Sequence, residues 1–184
     1  MQLKKILSYN VYGDNTDDSY RYVCNLLAQT TDPESAEPGM LDCGGMHTYT
    51  SPLRRATSCI DSKTAASFTL LPELWEIPFD LTHYCSESAF TLFKGTAVRQ
   101  AFIRAFVVDD LLIPHSVLEE EFKTIIELQN KPEDTLIISH TFRLAGLLAY
   151  IQIGHDLFTH PESITEFIKP DEKILDFGES ILLL

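Results

Sequence analysis

Short runs of aliphatic and β-branched residues recur along this chain, and most gaps between them carry the 3.6-residue apolar period of an amphipathic helix. Strand and helix in alternation constrain the fold more than any other feature. Each helical crossover returns the chain to the same end of the sheet, so the strands run mostly parallel, with helices on both faces. Strands are expected over residues 3–11, 46–50, 67–71 and 135–139, with late edge strands over 164–168 and 173–177. Helices are expected over 96–108, 116–129 and 141–153, the last closed by Gly154. A further helix runs to about Gln29 from an Asp17 or Asp18 cap, and another runs from a Ser51 cap with Pro52 in its first turn to about Ala66. Residues 30–45 form a polar loop, and 72–95 a long mixed loop of the kind that serves as a lid or binding wall.

A chain of 184 residues with 45% hydrophobic and 22% charged residues is expected to be one globular domain spanning 1–184. The net charge of −13 argues against nucleic acid or an anionic membrane as partner, since both need a positive footprint. An anionic ligand would need a local basic site working against that field. Cys24, Cys43, Cys59 and Cys85 lack C-x-x-C or zinc spacing and read as reduced thiols of a cytoplasmic protein. The start, Met1 to Lys5, is that of a signal peptide, but Ser8, Asn10 and Asp14 interrupt the apolar run at once. The longest apolar run, from Leu144 to Ile153, is too short for a membrane span. No metal or cofactor is implied.

Three places can carry chemistry. Arg54 and Arg55 follow Ser51-Pro52-Leu53 at a strand-to-helix junction. The helix dipole is positive there, so paired arginines suit an anion site, with surface ion pairs as the alternative. His140 ends a buried strand, Leu136-Ile137-Ile138-Ser139, just before a helix. Ligands of open α/β sheets bind at such strand ends, although a histidine there also serves as a helix cap. Glu73 and Glu76 lie in an aromatic, proline-stiffened loop that ends at Asp80. A carboxyl group in such a setting can act as a general acid, or sit solvated as an ordinary loop residue.

In order and spacing, these places resemble the histidine phosphatase (phosphoglycerate mutase-like) superfamily over roughly residues 3–155. The family pattern SPLxRAxxTA is similar to Ser51-Pro52-Leu53-Arg54-Arg55-Ala56-Thr57-Ser58-Cys59. Its VVSHGGxxRxLL is similar to Ile137 through Leu148, and its LxExxFG to Leu74-Trp75-Glu76-Ile77-Pro78-Phe79-Asp80. The resemblance implies a three-layer α/β sandwich with a mostly parallel central sheet. It also implies that Arg55 grips phosphate, that His140 stabilises the transferring group, and that Glu76, or less aptly Glu73, protonates the leaving group.

At the front the chain departs from the pattern. Where the family has Arg-His-Gly after its first strand, Ile6-Leu7 is followed by Ser8, Tyr9 and Asn10. The resemblance then puts Ser8 at the arginine, Tyr9 at the nucleophilic histidine and Asn10 at the glycine, so that Ser8 and Asn10 join Arg55 as anion-binding residues. An ordinary phenol, with a pKa of about 10, is mostly protonated near neutrality and is a poor substitute for imidazole. Thr141 and Asp80 replace two further family glycines, and Asp80 adds negative charge. Three functions are compatible with these residues. The first is a degenerate member that keeps a pocket for a small anionic or phosphorylated ligand, or a surface for a protein partner. The second is an enzyme of altered chemistry in which His140 and Glu76 act as acid and base, Arg55 holds an anion and Tyr9 donates a proton. The third is a conventional phosphatase that uses His47.

Overall fold

The computed structural model describes residues 4–9, 19–34, 38–131, 134–172 and 180–183, the first and last of these stretches by backbone alone. Strands β1 (Lys4–Tyr9), β2 (His47–Thr50), β3 (Ser67–Leu70), β4 (Thr135–His140) and β5 (Ser180–Leu183) form one sheet in the order β3-β2-β4-β1-β5. β3, β2, β4 and β1 run parallel, and β5 pairs antiparallel with β1 at the edge. The chain is therefore α/β with a mostly parallel sheet, as its alternating pattern predicts.

Every residue of β4 is buried. Ile137 joins the large core on one face, while Leu136 and Ile138 pack with Cys43, Ala56, Cys59 and Ile60 on the other. Alternate side chains of a strand point to opposite faces, so a continuous apolar run suits a strand covered on both sides. At the centre of the large core Phe102 stacks on Phe142, with ring centroids 4.1 Å apart, and Phe79 meets both rings edge-on.

The helices are α1 (Tyr20–Leu27), α2 (Arg54–Thr57), α3 (Leu81–Tyr84), α4 (Glu87–Val107), α5 (His115–Glu127), α6 (Thr141–Ile153) and α7 (Asp156–Thr159). Several boundaries differ from expectation. Ser19, rather than an aspartate, caps α1, its side chain accepting from the Tyr22 N–H. Helix α2 has only four residues where 52–66 was expected helical, because Asp61 to Thr64 folds into a turn held by the Asp61 carboxylate and carbonyl. The expected 72–95 loop is largely ordered: a 3-10 turn spans Pro72–Leu74, Asp80 caps α3 and Ser86 caps α4. The expected strand 164–168 lies instead in and just after a 3-10 turn, Pro161–Glu166. Proline opens that turn, and Ile164 and Ile168 are both fully buried, four residues apart on one face. The expected strand 173–177, Asn10, and the expected caps Asp17 and Asp18 lie outside the described residues. Among the described residues, no helix is long and apolar enough to cross a membrane, and all four cysteine thiols are free.

Candidate functional site

The parallel register brings the carboxyl ends of β1, β4 and β2 side by side. Tyr9 pairs with His140, Ser8 with Ser139, and Thr50 with Ile138. Ser8 and Tyr9 are placed here by their backbone alone. The chain continues from β4 straight into α6, so His140 is the last strand residue and the N-cap position of the helix. Its side chain makes no cap bond; it turns to Ser51, with Nε2 2.9 Å from Oγ. Ser51 follows β2 and donates its own N–H to the Ile138 carbonyl. Its hydroxyl oxygen accepts the Leu53 N–H, so Ser51 does not cap a helix in the way its sequence position suggests.

His140 is fully buried. Burial, with the nearby Arg55 and Arg143 charges adding to it, holds its pKa well below the usual range of an imidazole. The ring is therefore neutral at physiological pH. Its Nδ1 has no hydrogen-bond partner among the described residues.

Glu76 is also buried, and its carboxylate faces the start of α6. Oε1 accepts from the N–H groups of Ile77 at 3.0 Å and Arg143 at 2.9 Å, and Oε2 from Phe142 at 3.4 Å. Those of Phe142 and Arg143 are donors that the first turn of a helix leaves unpaired, so Glu76 caps α6 from outside the helix. Burial raises its pKa, opposed by Arg55 and by these three N–H bonds. The raised pKa suits a proton donor, but both oxygens are turned toward protein. Glu73, the weaker candidate, is half-buried, and its charge acts on Arg143. Asp80 is spent on α3, where its carboxylate accepts from the Thr82 N–H and hydroxyl.

Arg55 is 1% exposed, and its charge bears on both His140 and Glu76. The chain sends it a carboxylate of its own. Asp32, on the loop after α1, lies with Oδ1 3.8 Å from the Arg55 guanidinium. Both Asp32 oxygens also accept the Arg54 N–H, at 2.9 Å each. Glu34, two residues further on, pairs with the Arg54 side chain. An internal carboxylate thus stands beside the arginine that the sequence marks for an external anion.

His47 sits at the opposite end of β2 from Ser51, its ring nitrogens facing the hydroxyls of Ser67 and Thr69 on β3. Three strand residues, Thr48 to Thr50, separate it from Ser51 and the His140 cluster.

Three further residues complete the site. Arg143 is buried; its Nε donates to the Trp75 carbonyl and its guanidinium pairs with Glu121 on α5. The Ser139 hydroxyl donates to the Leu74 carbonyl at 2.7 Å and pins the 3-10 turn to β4. Asp32 is the third. Arg143 carries no signal in the strand-helix motif, where it falls on a free place and Ala145 stands at the motif's arginine. Asp32 carries none, because Arg54 lies 22 residues away and Arg55 one further, across a polar loop.

His140, Ser51, Arg55 and Glu76 are thus brought together and are each no more than 3% exposed. Chemically the cluster holds a neutral imidazole against a hydroxyl, with cationic and anionic groups balanced around it. Compared with protein-family models and with curated proteins, the chain matches none.

Proposed function

We propose that this chain is a degenerate member of the histidine phosphatase type: a three-layer, phosphoglycerate mutase-like domain without phosphoryl transfer, whose anion pocket is held by its own carboxylate. The observation that carries this is Asp32 against Arg55, with His140 and Glu76 buried beside it. A working phosphatase must present its arginine and nucleophile to a solvated phosphate. Here the arginine faces an internal anion, the histidine is buried against Ser51, and tyrosine stands where the family has its nucleophile. The sheet order and the cover on both sheet faces support the sandwich. Free thiols support a cytoplasmic setting. The remaining role is binding, either of a small anionic or phosphorylated ligand that displaces Asp32 or of a protein partner.

A second function is favoured by one contact. Ser51 Oγ at 2.9 Å from His140 Nε2 is the spacing of an activated hydroxyl and its base. Opening of the pocket would give an enzyme for a small anionic substrate, with His140 and Glu76 in acid-base roles and Arg55 on the anion.

The pocket is tested with inorganic phosphate as the probe, binding being followed by calorimetry. Asp32→Asn removes the competing charge and keeps the shape, so it is expected to bind phosphate about tenfold more tightly than wild type, the Coulomb energy being discounted for a partly exposed carboxylate. Adding Arg55→Ala should abolish that gain. Equal binding by wild type and Asp32→Asn, or a gain that survives Arg55→Ala, would contradict the proposal.

A further inference from the structure

Helix α4 is broken at a residue ill suited to the break. Lys94 stands at φ 42° and ψ −120°, far from helical values. Gly95, which would adopt a positive φ without strain, is next in sequence and does not adopt it. Such strain gathers at binding and switching sites, where the surroundings hold it in place. The break divides the helix into an arm, residues 87–93, and a long segment, residues 95–107. Phe90 anchors the arm: it is 3% exposed and its ring lies 5.7 Å from that of Tyr20. Phe93, at the break, is left 60% exposed.

Between the arm, the end of α3 and the long segment lies a cavity of about 300 Å³. Ala89, Phe93 and Ala97 give it an apolar wall, and Tyr84, Gln100 and Arg104 a polar one. The Tyr84 hydroxyl is committed to Asp110, at 2.6 Å. Arg104 is not committed. Among the described residues no carboxylate lies within ion-pair distance of it. In a chain with 27 acidic and 14 basic residues, an arginine without a carboxylate beside a cavity stands out. Gln100 lies one helical turn away on the same face.

One guanidinium and one amide match the two oxygens of a carboxylate in charge and number. A phosphate dianion would be left under-neutralised in a chain of net charge −13. The volume limits the ligand to about ten non-hydrogen atoms, taking roughly 30 Å³ for each water-sized group. We propose that this cavity binds a small monocarboxylate with an apolar tail, its carboxylate on Arg104 and Gln100 and its tail against Ala89, Phe93 and Ala97. Lys94 is then the hinge on which the arm closes over the tail. The site is separate from the Arg55 cluster and does not depend on the function proposed there.

The test is an amide-resolved NMR titration of the full chain with octanoate, kept below micellar concentration, and with octanol as the uncharged control. In wild type, octanoate is expected to give saturable shifts confined to residues 84–104, Lys94 among them. Arg104→Gln, a change at an exposed position, should leave the thermal midpoint unchanged and weaken octanoate about tenfold through loss of the charged contact. Octanol should bind both proteins equally weakly. Absence of saturable octanoate binding to wild type, shifts centred elsewhere, or equal octanoate affinity in Arg104→Gln would each overturn the proposal.

Discussion

Arg143→Ala is expected to destabilise the protein by about 3–5 kcal/mol, the combined cost of losing the buried member of a partly buried ion pair, its hydrogen bonds and its packing. Arg143 ties three parts of the chain together. Its Nε donates to the Trp75 carbonyl at 2.6 Å, and its guanidinium meets Glu121 of α5 at the same distance. The charge lies 5.7 Å over the Phe122 ring. Alanine leaves the Glu121 carboxylate, 24% exposed, without this partner. It also leaves a carbonyl without its donor, and a void in place of the side chain. A domain is stable by only about 5–15 kcal/mol in total, so the loss is a large share. Denaturant unfolding measures it. Arg143→Lys should lose less, because it keeps the charge but not the planar fork that reaches two acceptors at once. Wild-type stability in Arg143→Ala would show that this buried network holds nothing in place.

Glu76→Ala is expected to cost a similar amount, about 3–5 kcal/mol. Its carboxylate takes N–H bonds from Ile77, Phe142 and Arg143. It also faces the charges of Arg55 and Arg143 inside the protein. Burial already raises its pKa, so part of the loss is offset by no longer desolvating an acid. Three buried amide donors without an acceptor, and two guanidiniums facing neutral His140 without this counter-charge, outweigh that relief. Glu76→Gln retains one acceptor oxygen and should fall between wild type and alanine. The two losses share a network, so the Glu76→Ala, Arg143→Ala double variant should fall short of their sum by about 0.5–3 kcal/mol. Strict additivity would separate Glu76 from the Arg143 network and leave it an isolated cap.

The sequence made β4 and α6 legible because both carry strong, uninterrupted patterns. Leu136-Ile137-Ile138 is apolar on consecutive residues, as a strand covered on both faces requires, and Thr141 to Ile153 holds the helical period up to Gly154. Placement of His140 at their junction followed directly. Helix α2 was not legible in length: Ser51-Pro52 suggests a long helix, whereas Asp61 to Thr64 prefers a turn stabilised by its own carboxylate. Ile164 and Phe167-Ile168 resemble a strand locally, but Pro161 and burial at a four-residue spacing favour a helical turn. Arg55, Glu76 and His140, which residue type and motif single out, lie together in the structure. Their surroundings were not legible, because those contacts are long-range. Asp32 reaches Arg54 and Arg55 across a polar loop, and Ser51 meets His140 from 89 residues away. Such contacts leave no local period to read. Glu76 illustrates the limit: its loop position suggests a general acid, and the Phe142 and Arg143 amides give it the structural task of capping α6.

The central claim is that the pocket around Arg55 is retained without phosphoryl transfer. Its most direct test is hydrolysis of p-nitrophenyl phosphate by the wild-type protein, run beside Arg55→Ala and with a parallel search for an acid-labile phosphoenzyme. The account predicts no turnover above background in either protein and no phosphoenzyme. Enzyme-like turnover in wild type that disappears in Arg55→Ala would contradict it, and would mean that a nucleophile other than a histidine following β1 reaches phosphate in this pocket.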